Sequence, residues 1–123
     1  MPDVDVIEPM PEQLELTQDL DGDGLLRLSL RGELDLSTAD RVRVRMAELI
    51  AARTPTRLDL SELSFMDSTG FQRLYECVRD ARQAGCRLEI VDELMPQVRR
   101  LIELIDGRQL LWPGAEHRGT RGT

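Results

Sequence analysis

The sequence predicts one α/β domain in which helices pack against a mixed sheet of four to five strands. An Asp-Gly-rich turn between two alternating apolar runs is typical of a β-hairpin. Beyond it, strand-like and helix-like apolar spacings alternate, which favours parallel crossover units. The chain has 123 residues, 41% hydrophobic and only 3% aromatic, which suits a single core filled by aliphatic side chains.

The predicted hairpin opens the domain. Leu14 and Leu16 indicate a short edge strand, and apolar residues alternate with polar ones over 26–30 in the second strand. The connecting segment 19–24 contains two Asp-Gly pairs, which supply the positive φ that tight turns need.

The same turn partly matches an EF-hand calcium loop. Its residues at loop positions 1, 3, 5 and 6 are Asp19, Asp21, Asp23 and Gly24. Position 12, which needs a bidentate Glu, is Leu30, and the flanking residues alternate as strands do. We therefore interpret the segment as a turn and predict no calcium site.

The first helix follows the second strand. Ser37 is the predicted N-cap, with Asp40 three positions on as in a capping box. An apolar stripe then runs at helical spacing through Val42, Met46, Leu49 and Ile50. The helix is expected to stop at segment 53–55, before a third strand over 57–61.

The apolar period changes from strand to helix across segment 67–70, which begins a second helix over about 68–84 with Gly85 as its C′ residue. Ser68 and Thr69 can both cap this helix. A phosphate on either hydroxyl would also meet unpaired N–H groups and the positive end of the helix dipole. A structural cap and a phosphorylation switch are both open interpretations.

The remaining elements are a fourth strand over 87–92 and a third helix with Pro96 in its first turn and Gly107 after its end. The buried stripe of this helix is Val98, Leu101, Ile102 and Ile105. Residues 110–112 either add a short last strand or cover the core.

We divide the chain into a flexible N-terminal segment (1–12), one domain (13–112) and a disordered C-terminal tail (113–123). Sixteen basic and 23 acidic residues give a net charge of −7, which disfavours nucleic acid and anionic membranes as partners. With neither a membrane-length apolar run nor a signal peptide, the sequence predicts a cytoplasmic protein.

Metal and cofactor chemistry are not predicted. Cys77 and Cys86 lack CxxC spacing, and in a reducing compartment they are expected to remain thiols. His117, the single histidine, lies in the C-terminal tail, so a His-based catalytic triad or zinc site would rest on that segment.

In a sheet of this kind, partner surfaces gather outside the carboxyl ends of the parallel strands. The end of the second strand carries Glu33 and Asp35. We therefore expect these two residues to lie near segment 67–69.

Three segments carry a resemblance to a known family: residues 32–35 (Gly-Glu-Leu-Asp), 63–70 (Leu-Ser-Phe-Met-Asp-Ser-Thr-Gly) and 96–101 (Pro-Gln-Val-Arg-Arg-Leu). Over residues 14–112 the chain resembles the STAS domain, in particular the stand-alone bacterial anti-sigma factor antagonists. The middle segment is the most specific. Phe71 departs from the Leu or Ile that the family mostly has after this glycine.

The resemblance implies a STAS-like fold with Ser68 as phospho-acceptor and Thr69 as the alternative. It implies a partner-binding surface made by Glu33, Asp35, Asp67, Ser68, Thr69 and Gly70. The implied partners are an anti-sigma factor Ser/Thr kinase, which the unphosphorylated antagonist binds, and a Ser/Thr phosphatase that reverses the modification. No cofactor is implied, and the oligomeric state stays open.

Two alternative functions belong to other classes of protein. The first is a non-switching STAS scaffold or subunit in a stress-signalling or lipid-transport assembly. The second is an enzyme with Ser68 as nucleophile and Asp67 or Asp35 as general base. Because the sequence offers no positioned histidine, glycine-rich phosphate loop or nucleophile elbow, we predict that the chain is not an enzyme and has no catalytic residues.

Overall fold

The computed structural model describes residues 13–114. The predicted flexible segment 1–12 and most of the predicted disordered tail, 115–123, lie outside the described residues. The elements are β1 (Leu14–Leu20), β2 (Leu26–Leu34), α1 (Ala39–Ala51), β3 (Thr56–Met66), α2 (Ser68–Gln83), β4 (Leu88–Ile90), α3 (Pro96–Leu104) and α4 (Arg108–Leu111).

The sheet has the strand order β1-β2-β3-β4, with β1 antiparallel to β2 and the other neighbours parallel. Because parallel crossovers are right-handed and the order runs in one direction, α1 and α2 lie on the same face of the sheet. One hydrophobic cluster joins these helices to the sheet, α3 and α4. The mixed sheet with packed helices, in one domain, is therefore confirmed.

The sheet face opposite the helices is polar, which explains the alternating strand pattern. Arg27 lies 3.1 Å from Asp21 and 2.6 Å from Asp59. Arg57 also bonds Asp21 at 2.6 Å and reaches further carboxylates on Asp23 and Glu89. The acidic residues of the hairpin turn thus pair with arginines, and Gly24 adopts the positive φ (90°) that a turn needs.

The third strand is six residues longer than the predicted 57–61, since it spans Thr56–Met66. Two register shifts against β2 each insert one extra residue into β3. At the first shift, the Asp59 carboxylate accepts hydrogen bonds from the Ser61 backbone and hydroxyl. The shifts interrupt the period-2 apolar pattern, so a prediction based on that pattern alone places the end of the strand too early.

The first helix begins one residue later than predicted. Thr38, not Ser37, is the N-cap, and no side chain caps the helix. Asp40 pairs with Arg43 at 2.7 Å instead of completing a capping box. The prediction was wrong because the Asp35 carbonyl already accepts the first N–H groups, from Thr38 and Ala39.

The C-terminal part also differs in detail from the predictions. The left-handed residue after α3 is Asp106 (φ 57°), not Gly107. Gly107 has a packing role, because a Cβ there would lie 2.6 Å from the Phe71 ring. Segment 110–112 contains no strand: α4 buries Leu111, and the Trp112 indole donates to the Ile90 carbonyl at 3.0 Å.

Candidate functional site

The candidate site lies where β2 and β3 end side by side. Leu34 pairs with Met66 in the parallel register, and the Asp67 backbone N–H donates to the Leu34 carbonyl at 3.3 Å. The residues that follow the two strands, Asp35 and Asp67, are therefore neighbours. This juxtaposition, expected from the topology, brings two acidic segments to one edge of the sheet.

Gly70 allows the closest approach between α2 and β2. It is buried, and a Cβ built on it would lie 2.2 Å from the Leu34 carbonyl oxygen and 3.2 Å from the Asp35 nitrogen. Backbone atoms cannot move aside as a flexible side chain does. A residue without a Cβ is therefore needed to seat the first turn of α2 against the end of β2.

The N-cap of α2 is Asp67. Its backbone is extended (φ −105°, ψ 179°), and its carboxylate accepts a hydrogen bond from the Gly70 N–H at 2.7 Å. The expectation that the hydroxyl of Ser68 or Thr69 caps the helix is wrong, because the preceding carboxylate takes that position. Within residues 13–114, no side-chain hydrogen bond involves the Ser68 hydroxyl, and Ser68 is exposed.

The two candidate hydroxyls lie on different sides of α2. Consecutive residues of an α-helix are about 100° apart, so Thr69 shares a face with Arg73, four residues on. Arg73 lines a depression of about 160 Å³ together with α1 residues Asp40 and Arg43. Ser68 lies on another side, and unlike half-buried Thr69 it is open to solvent.

Asp35 organises the turn between β2 and α1. Its carboxylate accepts hydrogen bonds from the Ser37 hydroxyl at 2.8 Å and from the backbone of Ser37 and Thr38 at 3.0 and 3.2 Å. The Ser37 hydroxyl, and after it these backbone donors, hold the pKa of Asp35 below its usual value although burial opposes the shift. Asp35 therefore places a stable negative charge beside the first turn of α2.

Two exposed apolar side chains beside the site were not among the predicted residues. Phe65 is 45% exposed and pairs in register with Glu33, while Leu36 is 64% exposed in the turn after β2. The exposure of Phe65 could have been predicted from the three-residue spacing of the apolar residues Leu60, Leu63 and Met66. This spacing indicates a strand whose alternation has been reset, so that Phe65 lies on the face without helices.

These observations define a class of protein. An exposed hydroxyl at the start of a helix, flanked by acidic and apolar groups on one edge of the sheet, suits a regulatory docking domain. Among residues 13–114 there is no group of His, Cys, Asp and Glu arranged to hold a metal ion. In that same range, no helix is both long and apolar enough to cross a bilayer.

Comparison with protein families identifies the particular family. A family model described as "Mlab, STAS domain" matches residues 12–111, and the chain belongs to this STAS domain family. It is also 36% identical over 83 residues to an anti-sigma F factor antagonist of Paenibacillus polymyxa, covering 66% of this chain and 70% of the relative. The resemblance inferred from sequence is thereby confirmed, and the family is regulatory rather than enzymatic.

Solved structures show the same fold. An anti-sigma factor antagonist from Mycobacterium paratuberculosis is 26% identical, with a TM-score of 0.65 over 78% of this chain and 80% of that one. The Bacillus cell fate determinant SpoIIAA in its phosphorylated form is 19% identical, with a TM-score of 0.56 over 76% and 85%. The second likeness, at this low identity, concerns the fold alone.

Proposed function

We propose that this chain is a cytoplasmic anti-sigma factor antagonist switched by phosphorylation of Ser68. Unphosphorylated, it binds an anti-sigma factor Ser/Thr kinase and so frees the sigma factor for transcription; phosphorylation dissolves the complex, and a Ser/Thr phosphatase restores it. The observation that carries the proposal is the exposed Ser68 hydroxyl, which directly follows the carboxylate that caps α2. The likeness to anti-sigma factor antagonists supports the identity of the partner.

The proposed docking rim consists of Glu33, Asp35, Asp67, Ser68 and Thr69, with buried Gly70 beneath it as the residue that holds the rim together. Exposure favours Ser68 over Thr69 as the acceptor, because a kinase must reach the hydroxyl. Helix geometry favours it too. A phosphate on Thr69 would share a face with Arg73, which would partly neutralise it, whereas a phosphate on Ser68 would add its charge to the exposed rim.

The fold should tolerate a phosphate on Ser68 with little change. Asp67 already caps the helix, so modification of Ser68 removes no hydrogen bond that holds α2. The positive end of the helix dipole also favours a negative group at this position. The effect of the phosphate is therefore expected at the partner interface rather than in the folded domain.

The magnitude of the electrostatic effect is sufficient for a switch. A phosphate carries about −1.5 to −2 charges near pH 7. A kinase that modifies Ser68 must also hold the phosphates of its nucleotide close to this hydroxyl, and these stay negative after transfer. Since two unit charges 4 Å apart near a protein surface repel by about 4 kcal/mol, even part of this repulsion weakens binding by roughly tenfold to a thousandfold.

The test is an in vitro reaction with ATP and each purified anti-sigma factor kinase of the source organism, followed by intact-mass measurement and fragmentation. We expect one phosphoryl group, on Ser68 in the unsubstituted chain and absent in Ser68→Ala. Ser68→Ala should still bind the kinase, and Ser68→Asp should keep the far-UV circular dichroism of the folded chain yet lose binding. Thr69→Val is the matched control and should still be phosphorylated.

Two results would contradict the proposal. Unfolding of Ser68→Asp would mean that the hydroxyl supports the fold rather than a surface switch. Phosphorylation that persists in Ser68→Ala and disappears in Thr69→Val would move the switch to the neighbouring residue.

A second candidate is a STAS module that binds partners inside a larger stress-signalling or lipid-transport assembly without a phosphate cycle. The observation that favours it is the description of the matching family model, which names Mlab rather than an antagonist. Isolation of a stable complex in which Ser68 is unmodified under every growth condition would support this candidate over the switch.

A further inference from the structure

We infer that Phe65 and Leu36 are the apolar anchors with which this domain holds its protein partner next to the rim that carries Ser68. The inference rests on the proposed function and adds the residues that supply the affinity of the unphosphorylated state. Acidic groups and a hydroxyl supply charge and a modification site, but burial of large apolar side chains carries most of the energy of protein association.

Phe65 is the first anchor because its side chain does not belong to the hydrophobic core or to the apolar residues packed against it. The helix-free face of the sheet is covered by polar residues, many of them in ion pairs, such as Arg27 with Asp59 and Arg57 with Glu89. An aromatic ring that is 45% exposed stands on this face, three residues before Ser68. The chain has four aromatic residues. Phe71 is part of the core and Tyr75 and Trp112 pack against it, whereas Phe65 does neither.

The backbone that carries Phe65 is held in place. The neighbouring Ser64 carbonyl accepts a hydrogen bond from the Gln97 side chain of α3 at 2.8 Å, and the Ser64 hydroxyl donates to the Gly32 carbonyl of β2 at 3.1 Å. An anchor on a fixed backbone loses little conformational entropy on binding, which favours affinity.

Leu36 is the second anchor. It is 64% exposed in the turn that the Asp35 carboxylate holds through its bonds to Ser37 and Thr38. It also lines the depression that contains Arg43 and Arg73, on the Thr69 side of α2. The two anchors therefore lie on different faces of the domain, Phe65 on the helix-free face of the sheet and Leu36 beside α1 and α2.

Charge indicates what the partner surface contains. At the hairpin end of the sheet, Asp21 and Asp23 are paired with arginines. At the rim, none of the ion pairs found within residues 13–114 involves Glu33, Asp35 or Asp67. The partner surface that fits is an apolar socket for a phenyl ring with an adjacent Arg or Lys for Glu33, beside the nucleotide site of the kinase.

The experiment measures affinity for the purified kinase that phosphorylates the chain in the assay above, loaded with ADP so that Ser68 stays unmodified. The variants are Phe65→Ala and Leu36→Ala. The matched control is Leu20→Ala, because Leu20 is 75% exposed and lies at the opposite, hairpin end of the sheet. Urea unfolding of each variant checks that the domain stays intact.

We expect Phe65→Ala to raise the Kd by roughly 10- to 100-fold, as truncation of an aromatic anchor does, and Leu36→Ala by roughly 3- to 10-fold. Leu20→Ala should change it less than about twofold. Tight binding by both Phe65→Ala and Leu36→Ala would overturn the inference and leave the proposed function standing. If the unsubstituted chain binds no kinase, the proposed function fails, and the inference fails with it.

Discussion

Replacement of Gly70 by Ala sets two physical effects against each other. Gly70 lies in the first turn of α2, where helix propensity alone predicts that Ala stabilises the helix by up to about 1 kcal/mol. The added Cβ, however, would stand 2.2 Å from the Leu34 carbonyl oxygen and 2.7 Å from its carbon, where real Cβ atoms essentially never approach closer than 3.0 Å. Both atoms belong to the backbone of a central strand.

Relief of this clash requires the first turn of α2 to move away from β2. Such overpacking destabilises by about 1–3 kcal/mol, and the loss here should lie at the upper end because no side chain can yield. The steric term therefore exceeds the propensity term, and we expect a net loss of roughly 2 kcal/mol. The movement also separates Asp35 from Asp67, so partner binding should weaken in the molecules that stay folded.

The assay is urea unfolding followed by far-UV circular dichroism, with Gly22→Ala as the control. A Cβ at Gly22 meets no atom within 4 Å, so this substitution should change the free energy of unfolding by less than about 0.5 kcal/mol. If Gly70→Ala is as stable as the unsubstituted chain, the close packing between α2 and the end of β2 is not what positions the rim.

Three further predictions concern the cap of α2, the ion pairs of Arg57 and the burial of Cys77. Asp67→Ala should destabilise the domain by about 1 kcal/mol in urea unfolding because it removes the cap of α2, whereas Ser68→Ala should cost less than about 0.5 kcal/mol; equal losses would refute the cap assignment. Hydrogen bonds from Arg57 lower the pKa of Asp23 and Glu89, and hydrogen bonds from Arg27 and Arg57 lower the pKa of Asp21. Because these carboxyl groups have a lower pKa in the folded chain than in the unfolded chain, their ionised forms stabilise the fold above about pH 5. The free energy of unfolding should therefore fall as the pH drops below about 5. Arg57→Gln should flatten this dependence, and an unchanged pH profile would contradict it. Burial raises the pKa of the Cys77 thiol to about 11, so at pH 8 a thiol reagent should modify Cys86 much faster, as peptide mass mapping would show; the reverse order would mean that α2 opens readily.

The order of elements was largely predictable because its signals are local. The Asp-Gly turn, the spacing of apolar residues in each helix and Pro96 at the start of α3 all act within a few residues. The element boundaries were less predictable where a contact from another strand or helix intervened. The end of β3 is the main example, because its register shifts depend on pairing with β2.

The candidate site was predicted in part. The segments around Asp35 and Ser68 were expected to meet, and the parallel register of β2 and β3 does bring them together. The roles within the site differ from expectation, since Asp67 rather than a hydroxyl caps α2 and Gly70 is buried beneath the rim. The exposure of Phe65 was not predicted, because it depends on the register shift between β2 and β3.

The sequence by itself determined the family of the chain, the alternation of strands and helices and the place where strand period changes to helix period. These features follow from turn chemistry and apolar spacing, which act along the chain. Only the tertiary structure decided which group caps α2, why residue 70 has no side chain and which apolar residues stay in solvent. Those outcomes depend on how closely one strand end approaches the next helix, and that distance is a property of pairing between segments far apart in sequence.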